Sequence, residues 1–310
     1  MDWLILVAGL TAVIVGATWL TNGSVAIAKR LRMSEYLIGM TIVAVGTSLP
    51  ELTVSTASTL AGKADIAIGN VVGSNIFNTL MILGVCAMLR PIGFTRSNVR
   101  LDIPLCLGVS LLLAAMLWNV ELSRIEGIVL LAGYVAVLLF SFKVGKAEGG
   151  AESEEHSEAS FSWWRSVALV VLGLCGLVFG GDFTLDAAVS IAERYGVPES
   201  VIAITILAGG TSLPELAASS VALIKGHGAM ALGNVIGSNI ANILLILGTC
   251  STIAPLTMSG VTMVDVWVVV AAIAVLLLAT LLLRARRISR VLALLLLVGY
   301  GLYMWYLLKA

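Results

Sequence analysis

Two identical seven-residue segments, GTSLPEL, place a proline and a carboxylate inside apolar sequence at 46–52 and 210–216. A proline within a helix lacks the amide hydrogen, and its ring clashes with the carbonyl four residues earlier, so the helix breaks there. In the first copy we expect the break around residues 44–47, where it frees main-chain carbonyls. Glu51 follows one helical turn after Thr47, so carbonyl, hydroxyl and carboxylate oxygens converge.

A second duplicated segment follows each copy, GNVVGSNIFN at 69–78 and GNVIGSNIAN at 233–242. Both contain a serine and an asparagine four residues apart, which lie on one face of a helix. These pairs are Ser74 with Asn78 and Ser238 with Asn242. The other asparagines of the segments are predicted to tie helices together; they are Asn70, Asn75, Asn234 and Asn239. Nearby glycines are predicted to let helices approach closely; they are Gly69, Gly73, Gly84, Gly233, Gly237 and Gly248.

Together the duplicated segments supply two carboxylates, two side-chain amides, several hydroxyls and several carbonyls, all of them hard oxygen donors. Such ligands suit calcium, which takes six to eight oxygens in flexible geometry, and they suit a group of sodium ions equally. Zinc and copper prefer softer ligands, and magnesium demands a rigid octahedron. An ionisable side chain at the centre of a membrane helix costs about 2.5 to 3.5 kcal/mol, so two such glutamates indicate a function.

The elements that must position these donors are membrane helices. Of the 310 residues, 59% are hydrophobic and 12% are charged, and the mean hydropathy is +1.06. Apolar runs of about 20 residues predict an all-α polytopic membrane protein with ten transmembrane helices. These spans lie near 3–20, 36–60, 66–88, 99–118, 125–142, 164–182, 198–223, 229–250, 262–283 and 291–308.

Basic residues are distributed unevenly between the two sides of these spans. Fourteen of the 18 lysines and arginines fall on one side and four on the other. Because basic loops stay in the cytoplasm, this bias places both termini outside the cell and the linker inside. We therefore expect a multi-pass protein of the cell (inner) membrane. The first span is expected to be retained, since Asp2 stands where a secretory signal carries a basic residue.

The two halves of the chain are related by an internal repeat. Thr47 and Thr211, Glu51 and Glu215, and the paired Ser and Asn residues above all share an offset of 164 residues. We predict a first repeat at 1–142, an acidic cytoplasmic linker at 143–162 and a second repeat at 163–310. Each repeat has five spans, an odd number, so the second enters the membrane from the opposite side. Inverted-topology repeats are typical of secondary transporters.

At the duplicated segments the sequence strongly resembles the cation/calcium exchanger superfamily, specifically its prokaryotic sodium/calcium exchangers. The resemblance rests on two copies of GTSLPE, each followed by GNV-x-GSN-I-x-N, and it covers essentially the whole chain. It implies antiport of Na⁺ against Ca²⁺ by alternating access, with the first and sixth spans sliding across the other eight. A three-for-one exchange, as in the family, moves net charge, so the transport is expected to be electrogenic.

The resemblance also implies a ligand set. Glu51 and Glu215 look like shared carboxylates at a central site, with Asn78 and Asn242 beside them. The flanking ligands that it implies are the hydroxyls of Thr47, Thr211, Ser48, Ser212, Ser74 and Ser238 and the carbonyls of Ala44 and Ala208. Asn242 stands where certain potassium-dependent relatives carry aspartate, which argues against potassium co-transport. Antiport coupled to H⁺ or K⁺ is the alternative.

Other functional classes fit less well. A net charge of zero gives no indication of a nucleic-acid partner. We expect the lipid bilayer as the surroundings of the protein, with no cofactor and no obligate protein partner. No HExxH or GxSxG motif indicates an enzyme. A cation channel is a further alternative, since broken helices also form filters. Asp182 and Asp186 are interpreted as ending the sixth span in the headgroup region, with an external access path as the alternative.

Overall fold

The computed structural model describes residues 1–152, 161–197, 208–281 and 286–309, and these are mostly helical. The first six helices are α1 Asp2–Leu31, α2 Glu35–Thr47, α3 Leu49–Leu60, α4 Asp65–Leu89, α5 Asn98–Asn119 and α6 Arg124–Glu152. The remaining six are α7 Trp163–Arg194, α8 Ala208–Gly210, α9 Leu213–Ile224, α10 Gly228–Ile253, α11 Met263–Leu281 and α12 Arg290–Leu307.

Eight of the described helices are long and apolar enough to cross a membrane, and a ninth crossing results if α2 and α3 form one bent span. This agrees with nine of the ten predicted spans. The remaining one, at 198–223, lies partly outside the described residues. In its described part it contains α8 and the short apolar helix α9.

The first and sixth predicted spans are wrong at their C-terminal ends. They were expected to end at residues 20 and 182, but α1 continues to Leu31 and α7 to Arg194. Helix α1 stops where Arg32 adopts left-handed backbone angles, and α7 is followed by Gly196 at φ 75°. The isolated polar residues near the expected ends, such as Asn22 and Asp186, do not stop these helices, because the helices pack against each other along other faces. A helix of 30 residues is about 45 Å long, well beyond the hydrocarbon thickness, so it must tilt or protrude.

The predicted linker at 143–162 also begins as helix, because α6 extends to Glu152. Residues 153–160 lie outside the part of the chain that the structure describes.

Helices α1 and α7 pack against each other antiparallel through small residues spaced seven apart. Gly9, Gly16 and Gly23 of α1 face Gly180, Gly173 and Ser166 of α7, respectively. A Cβ atom added at Gly16 would lie 2.8 Å from the Gly173 carbonyl oxygen, and one at Gly23 would lie 2.7 Å from the Ser166 carbonyl oxygen. The backbones therefore touch directly, as in glycine-mediated membrane helix pairs.

The predicted close approaches at the other glycines are confirmed in part. Gly233 and Gly237 pack against the backbone of α2, and Gly84 and Gly248 contact α12 and α6. The prediction is wrong for Gly69 and Gly73, where no helix approaches closely. A Cβ atom at Gly73 would meet nothing within 4 Å, and one at Gly69 would meet only the Val261 side chain at 3.3 Å. The reason is that this face of α4 borders a cavity of about 280 Å³ beside α11 and α12. The corresponding glycines of the second half, Gly233 and Gly237, pack against a helix instead.

Two pairs of short strands connect the halves. β1 (Ile92–Gly93) pairs antiparallel with β4 (Arg287–Ile288), and β2 (Glu121–Leu122) pairs with β3 (Leu256–Thr257). Each pair thus joins a loop of the first half to a loop of the second.

The glycine contact predicts a position-dependent cost of adding one methyl group. Gly173→Ala should lower the apparent unfolding temperature of the purified protein, because its Cβ would lie 2.5 Å from the Leu20 amide nitrogen. Overpacking of this kind costs about 1 to 3 kcal/mol. Gly108→Ala is the matched control, since nothing lies within 4 Å of its Cβ and alanine favours a helix. Equal unfolding temperatures for the two variants would contradict the packing role.

Candidate cation-binding site

The first helix break lies at Ser48. Helix α2 ends at Thr47, Ser48 has backbone angles φ −84° and ψ 10°, and α3 leaves at a bend of 44°. Pro50 occupies the first turn of α3, where an amide hydrogen would have no acceptor within the helix. The break does not release the Ala44 carbonyl from the helix, since this oxygen still accepts the Ser48 amide at 3.0 Å, and its place in the ligand set stays a prediction. After a π-helical segment at Gly39–Val43, α2 is α-helical over Ala44–Thr47, and the break comes one residue later than the expected 44–47.

The second break has the same geometry. Ser212 has φ −90° and ψ 10°, and Pro214 lies in the first turn of α9. The amide of Leu216 donates to the Ser212 carbonyl at 3.1 Å, as the amide of Leu52 donates to the Ser48 carbonyl at 3.1 Å. Ala208, whose carbonyl is a predicted ligand, is the first residue described in α8.

The two breaks bring the two glutamates to each other's serines. The Ser48 hydroxyl donates to Glu215 Oε1 at 3.0 Å, and the Ser212 hydroxyl donates to Glu51 Oε1 at 3.0 Å. Both glutamates are only 1% exposed. Each half of the chain therefore provides a hydroxyl that holds the carboxylate of the other half.

Five buried oxygen atoms of predicted ligands have no hydrogen-bond partner among the described residues. They are Glu51 Oε2, Ser74 Oγ, Asn78 Oδ1, Glu215 Oε2 and Asn242 Oδ1. Buried polar atoms nearly always have a hydrogen-bond partner. Unpaired buried oxygens therefore indicate a ligand that binds to them. Oxygen atoms of these types are the ligands that calcium takes in proteins.

The hydroxyls of Thr47 and Ser238 point to main-chain or amide oxygens. Thr47 lies 3.3 Å from the Ala44 carbonyl and 3.3 Å from Asn234 Oδ1, and Ser238 donates to the Ala44 carbonyl at 3.5 Å. A hydroxyl that donates its hydrogen keeps its lone pairs for a cation. Thr211 is half-buried at the edge of the site.

A second layer of asparagines supports the glutamate helices, as predicted for Asn70 and Asn234. Asn70 donates to the Ser55 hydroxyl at 3.0 Å and to the Glu51 carbonyl at 3.3 Å. Asn234 donates to the Ser219 hydroxyl at 2.9 Å and to the Glu215 carbonyl at 3.5 Å. The two serines were not singled out from the sequence, although they share the offset of 164 and lie one turn after each glutamate.

Asn75 and Asn239 connect helices α4 and α10, which also confirms the prediction made for them. Asn75 Nδ2 donates to the Asn239 carbonyl at 3.2 Å, and Asn239 Nδ2 donates to the Thr79 hydroxyl at 2.7 Å. Asn242 Nδ2 donates to Asn75 Oδ1 at 3.0 Å. That bond fixes the Asn242 amide with its nitrogen toward the protein and leaves its oxygen without a partner.

Helices α4 and α10 both widen to a π-helical segment at these asparagines, over Phe77–Ile82 and Asn242–Leu247. Such segments recur at functional sites because they redirect side chains and loosen the backbone hydrogen bonding. No sequence signal predicted them.

The charge of the site is uncompensated by protein. Among the described residues, the ion pairs are Arg194 with Asp2 and His227 with Glu35, and neither involves the site. Two carboxylates removed from water with no basic partner are strongly destabilising in ionised form. The arrangement therefore needs cationic charge from outside the chain.

A cavity of about 420 Å³ lies beside the site between α3, α7 and α9. Its lining includes Pro50 and Pro214, which directly precede the two glutamates, and also Thr211 and Asp182. The favoured interpretation of Asp182 and Asp186 as helix-ending residues is wrong, because α7 continues beyond both of them.

The chain is similar to known proteins in sequence and in structure. A family model described as sodium/calcium exchanger protein matches residues 1–143 and 165–309. The chain is 32% identical over 324 residues to the sodium/calcium exchanger MaX1 of Methanosarcina acetivorans, with 90% of each chain covered. It is 36% identical over 258 residues to the inner membrane protein YrbG of Escherichia coli, covering 81% of this chain and 79% of that one.

Solved structures of the sodium-calcium exchanger NCX_Mj share the fold. One, soaked with 2.5 mM Na⁺ and 0.1 mM Ca²⁺, has a TM-score of 0.84 at 32% identity and covers 97% of this chain and 96% of that one. Another, soaked with zero Na⁺ and Ca²⁺, has a TM-score of 0.86 at 31% identity, covering 99% and 98%.

The unpaired oxygens predict that a cation stabilises the folded protein. Calcium should raise the unfolding temperature of the purified protein, since a ligand at 100 times its Kd contributes about 2.7 kcal/mol. Glu51→Gln should lose most of this increase, because it removes the charge and replaces an acceptor oxygen by a donor. Glu121→Gln, an exposed glutamate at the β2 strand, is the control and should keep the increase. An undiminished calcium effect in Glu51→Gln would contradict the site.

Proposed function

This chain belongs to the sodium/calcium exchanger protein family, and from that premise we propose that it exchanges Na⁺ for Ca²⁺ across the membrane by alternating access. The observation that carries the proposal is the reciprocal pair of buried glutamates. Each is held through one oxygen by a serine of the other half and keeps one oxygen unpaired.

We assign the central ion ligands to Glu51, Glu215, Asn78 and Asn242. The flanking ligands are the hydroxyls of Thr47, Ser48, Ser74, Thr211, Ser212 and Ser238, and the carbonyls of Ala44 and Ala208. Shared ligands explain why the two ions alternate: calcium and sodium compete for the same two carboxylates, and each shifts the conformational populations differently.

The proposed architecture has ten transmembrane helices in two inverted repeats, 1–142 and 163–310, joined by the acidic linker at 143–162. Two observations support it. The family model matches one range in each half. Contacts between the halves are also reciprocal, as expected around a two-fold axis. The bond of Ser48 to Glu215 corresponds to that of Ser212 to Glu51, and the pairing of β1 with β4 corresponds to that of β2 with β3.

The chain is a multi-pass membrane protein, and we place it in the inner membrane with both termini outside and the linker in the cytoplasm. The support is the distribution of basic residues and the similarity to an inner membrane protein. In this orientation the cavity beside the glutamates lies toward the outer face, since α7 runs outward through Asp182.

The cytoplasmic end of the same region is held by polar contacts. Lys225 Nζ donates to Asn22 Oδ1 of α1 at 2.7 Å, and His227 Nδ1 lies 2.9 Å from Glu35 Oε1. A cavity toward one face and contacts across the other correspond to an outward-facing conformation. Sliding of α1 and α7 across the other helices would reverse it.

The charge balance makes the proposed transport electrogenic. Two ionised glutamates carry −2, so one calcium neutralises the site and three sodium ions leave it at +1. With three Na⁺ exchanged for one Ca²⁺, one net charge crosses per cycle, and a potential of 100 mV contributes about 2.3 kcal/mol.

The function is tested by calcium uptake into proteoliposomes loaded with sodium and diluted into sodium-free buffer. Uptake should require the sodium gradient and should increase when a potassium gradient sets the interior positive, by at most about fiftyfold per 100 mV, since 2.3 kcal/mol bounds the driving force. Uptake that follows an imposed pH gradient instead would support the proton-coupled alternative. Dependence on potassium as a transported ion would support the potassium-dependent one.

Neutralising either glutamate should remove most calcium transport. Glu51→Gln and Glu215→Gln each leave one negative charge for a divalent ion and place an amide donor against a serine hydroxyl. We expect sodium-driven calcium uptake to fall by at least about tenfold, the equivalent of 1.4 kcal/mol. Glu121→Gln serves again as the control. Undiminished uptake in Glu51→Gln would exclude the assigned role.

A further inference from the structure

We propose that Asp182 forms a capture site for cations in the cavity that leads from the outer face to the paired glutamates. The inference rests on the proposed function and extends it from the central site to the step that precedes binding. Asp182 does not touch the glutamates. Its role is to concentrate cations where the path to them begins.

This role is supported by the residues that line one cavity together with Asp182. Asp182 and Thr211 both line the space of about 420 Å³ between α3, α7 and α9. The lining also includes Pro50 and Pro214, which directly precede Glu51 and Glu215 in the chain. Glu51 Oε2 is buried and has no partner among the described residues. The cavity therefore has a carboxylate at its wall and an unsatisfied carboxylate behind its inner edge.

Asp182 itself is available to a cation. It is exposed on α7 and makes no hydrogen bond or ion pair with the residues that the structure describes. The nearest charge that acts on it is Asp186, one turn further along the helix, which has the same sign. Asp186 does not line the cavity.

The capture site is present in one half of the chain alone. The offset of 164 places Thr18 of α1 opposite Asp182, and the Thr18 hydroxyl donates to the Ile14 carbonyl at 2.8 Å. Threonine carries no charge, so the cytoplasmic path lacks the corresponding carboxylate at this position. An otherwise reciprocal site thus acquires a difference between its two faces.

A fixed negative charge raises the local concentration of a cation by a Boltzmann factor, and that factor is squared for a divalent ion. For one carboxylate beside the path, screened by the water of an open cavity, we expect a factor of about three for Na⁺ and therefore about nine for Ca²⁺. Salt screens this attraction, because the Debye length falls from about 30 Å at 0.01 M to about 3 Å at 1 M.

The test is the half-saturating concentration of each ion at each face for Asp182→Asn. With right-side-out vesicles at low ionic strength, we expect the value for external Ca²⁺ to rise about ninefold and that for external Na⁺ about threefold. With inside-out vesicles, the cytoplasmic values should not change. In choline chloride at about 0.5 M, the half-saturating concentrations of variant and wild type at the outer face should become equal, because salt screens the charge.

Two further variants separate capture from a structural effect. Asp182→Glu keeps the charge and should behave like wild type, and Asp186→Asn removes an equal charge outside the cavity and should change the constants less. Unchanged external constants in Asp182→Asn, an equal change at both faces, or a change that persists in high salt would overturn the capture role. Wild-type vesicles without sodium-dependent calcium uptake would overturn the proposed function and the capture role with it. Active vesicles with unchanged constants would overturn the capture role alone.

Discussion

Two carboxylates buried side by side without a basic partner are the constraint on which the rest of this structure depends. Moving an ionised carboxylate out of water costs several kcal/mol even after relaxation, and here two are moved into a membrane protein's interior. Glu51 and Glu215 receive one serine hydroxyl each, which satisfies one oxygen and leaves the negative charge in place. The asparagines behind them hold the helices in register and add no positive charge. Only cations from solution complete the balance.

The site belongs to neither half of the chain alone. Ser48 and Glu51 lie on the same helix break, yet each bonds to a residue of the other break. The backbone turn at Ser48 and that at Ser212 differ by only a few degrees, so the two breaks present their serines and glutamates in the same way. Any displacement of one half against the other therefore acts on both carboxylates together. This is the arrangement expected of a site that must respond to the relative position of the two halves.

Much of the site could be predicted from the sequence because the repeat marks it. A carboxylate in apolar sequence is costly, and duplication at a fixed offset singles out Glu51, Glu215, Asn78 and Asn242 as candidates. The failures have physical causes. The ends of α1 and α7 are set by left-handed backbone at Arg32 and Gly196 rather than by hydrophobicity. The open face of Gly73 depends on what packs opposite it. The Ala44 carbonyl stays bonded because the break begins one residue later. Each depends on tertiary context that a linear pattern does not contain.

The direct backbone contact between α1 and α7 has a mechanical consequence. Because glycines replace side chains at the crossing, the two helices have no compressible layer between them, and they are expected to move as one rigid body. They run antiparallel, and one comes from each half of the chain. In the proposed mechanism, a displacement that clears the path to one face obstructs the path to the other by the same distance. Uncoupled leakage is then prevented by the stiffness of a helix pair, even at moments when no ion occupies the site.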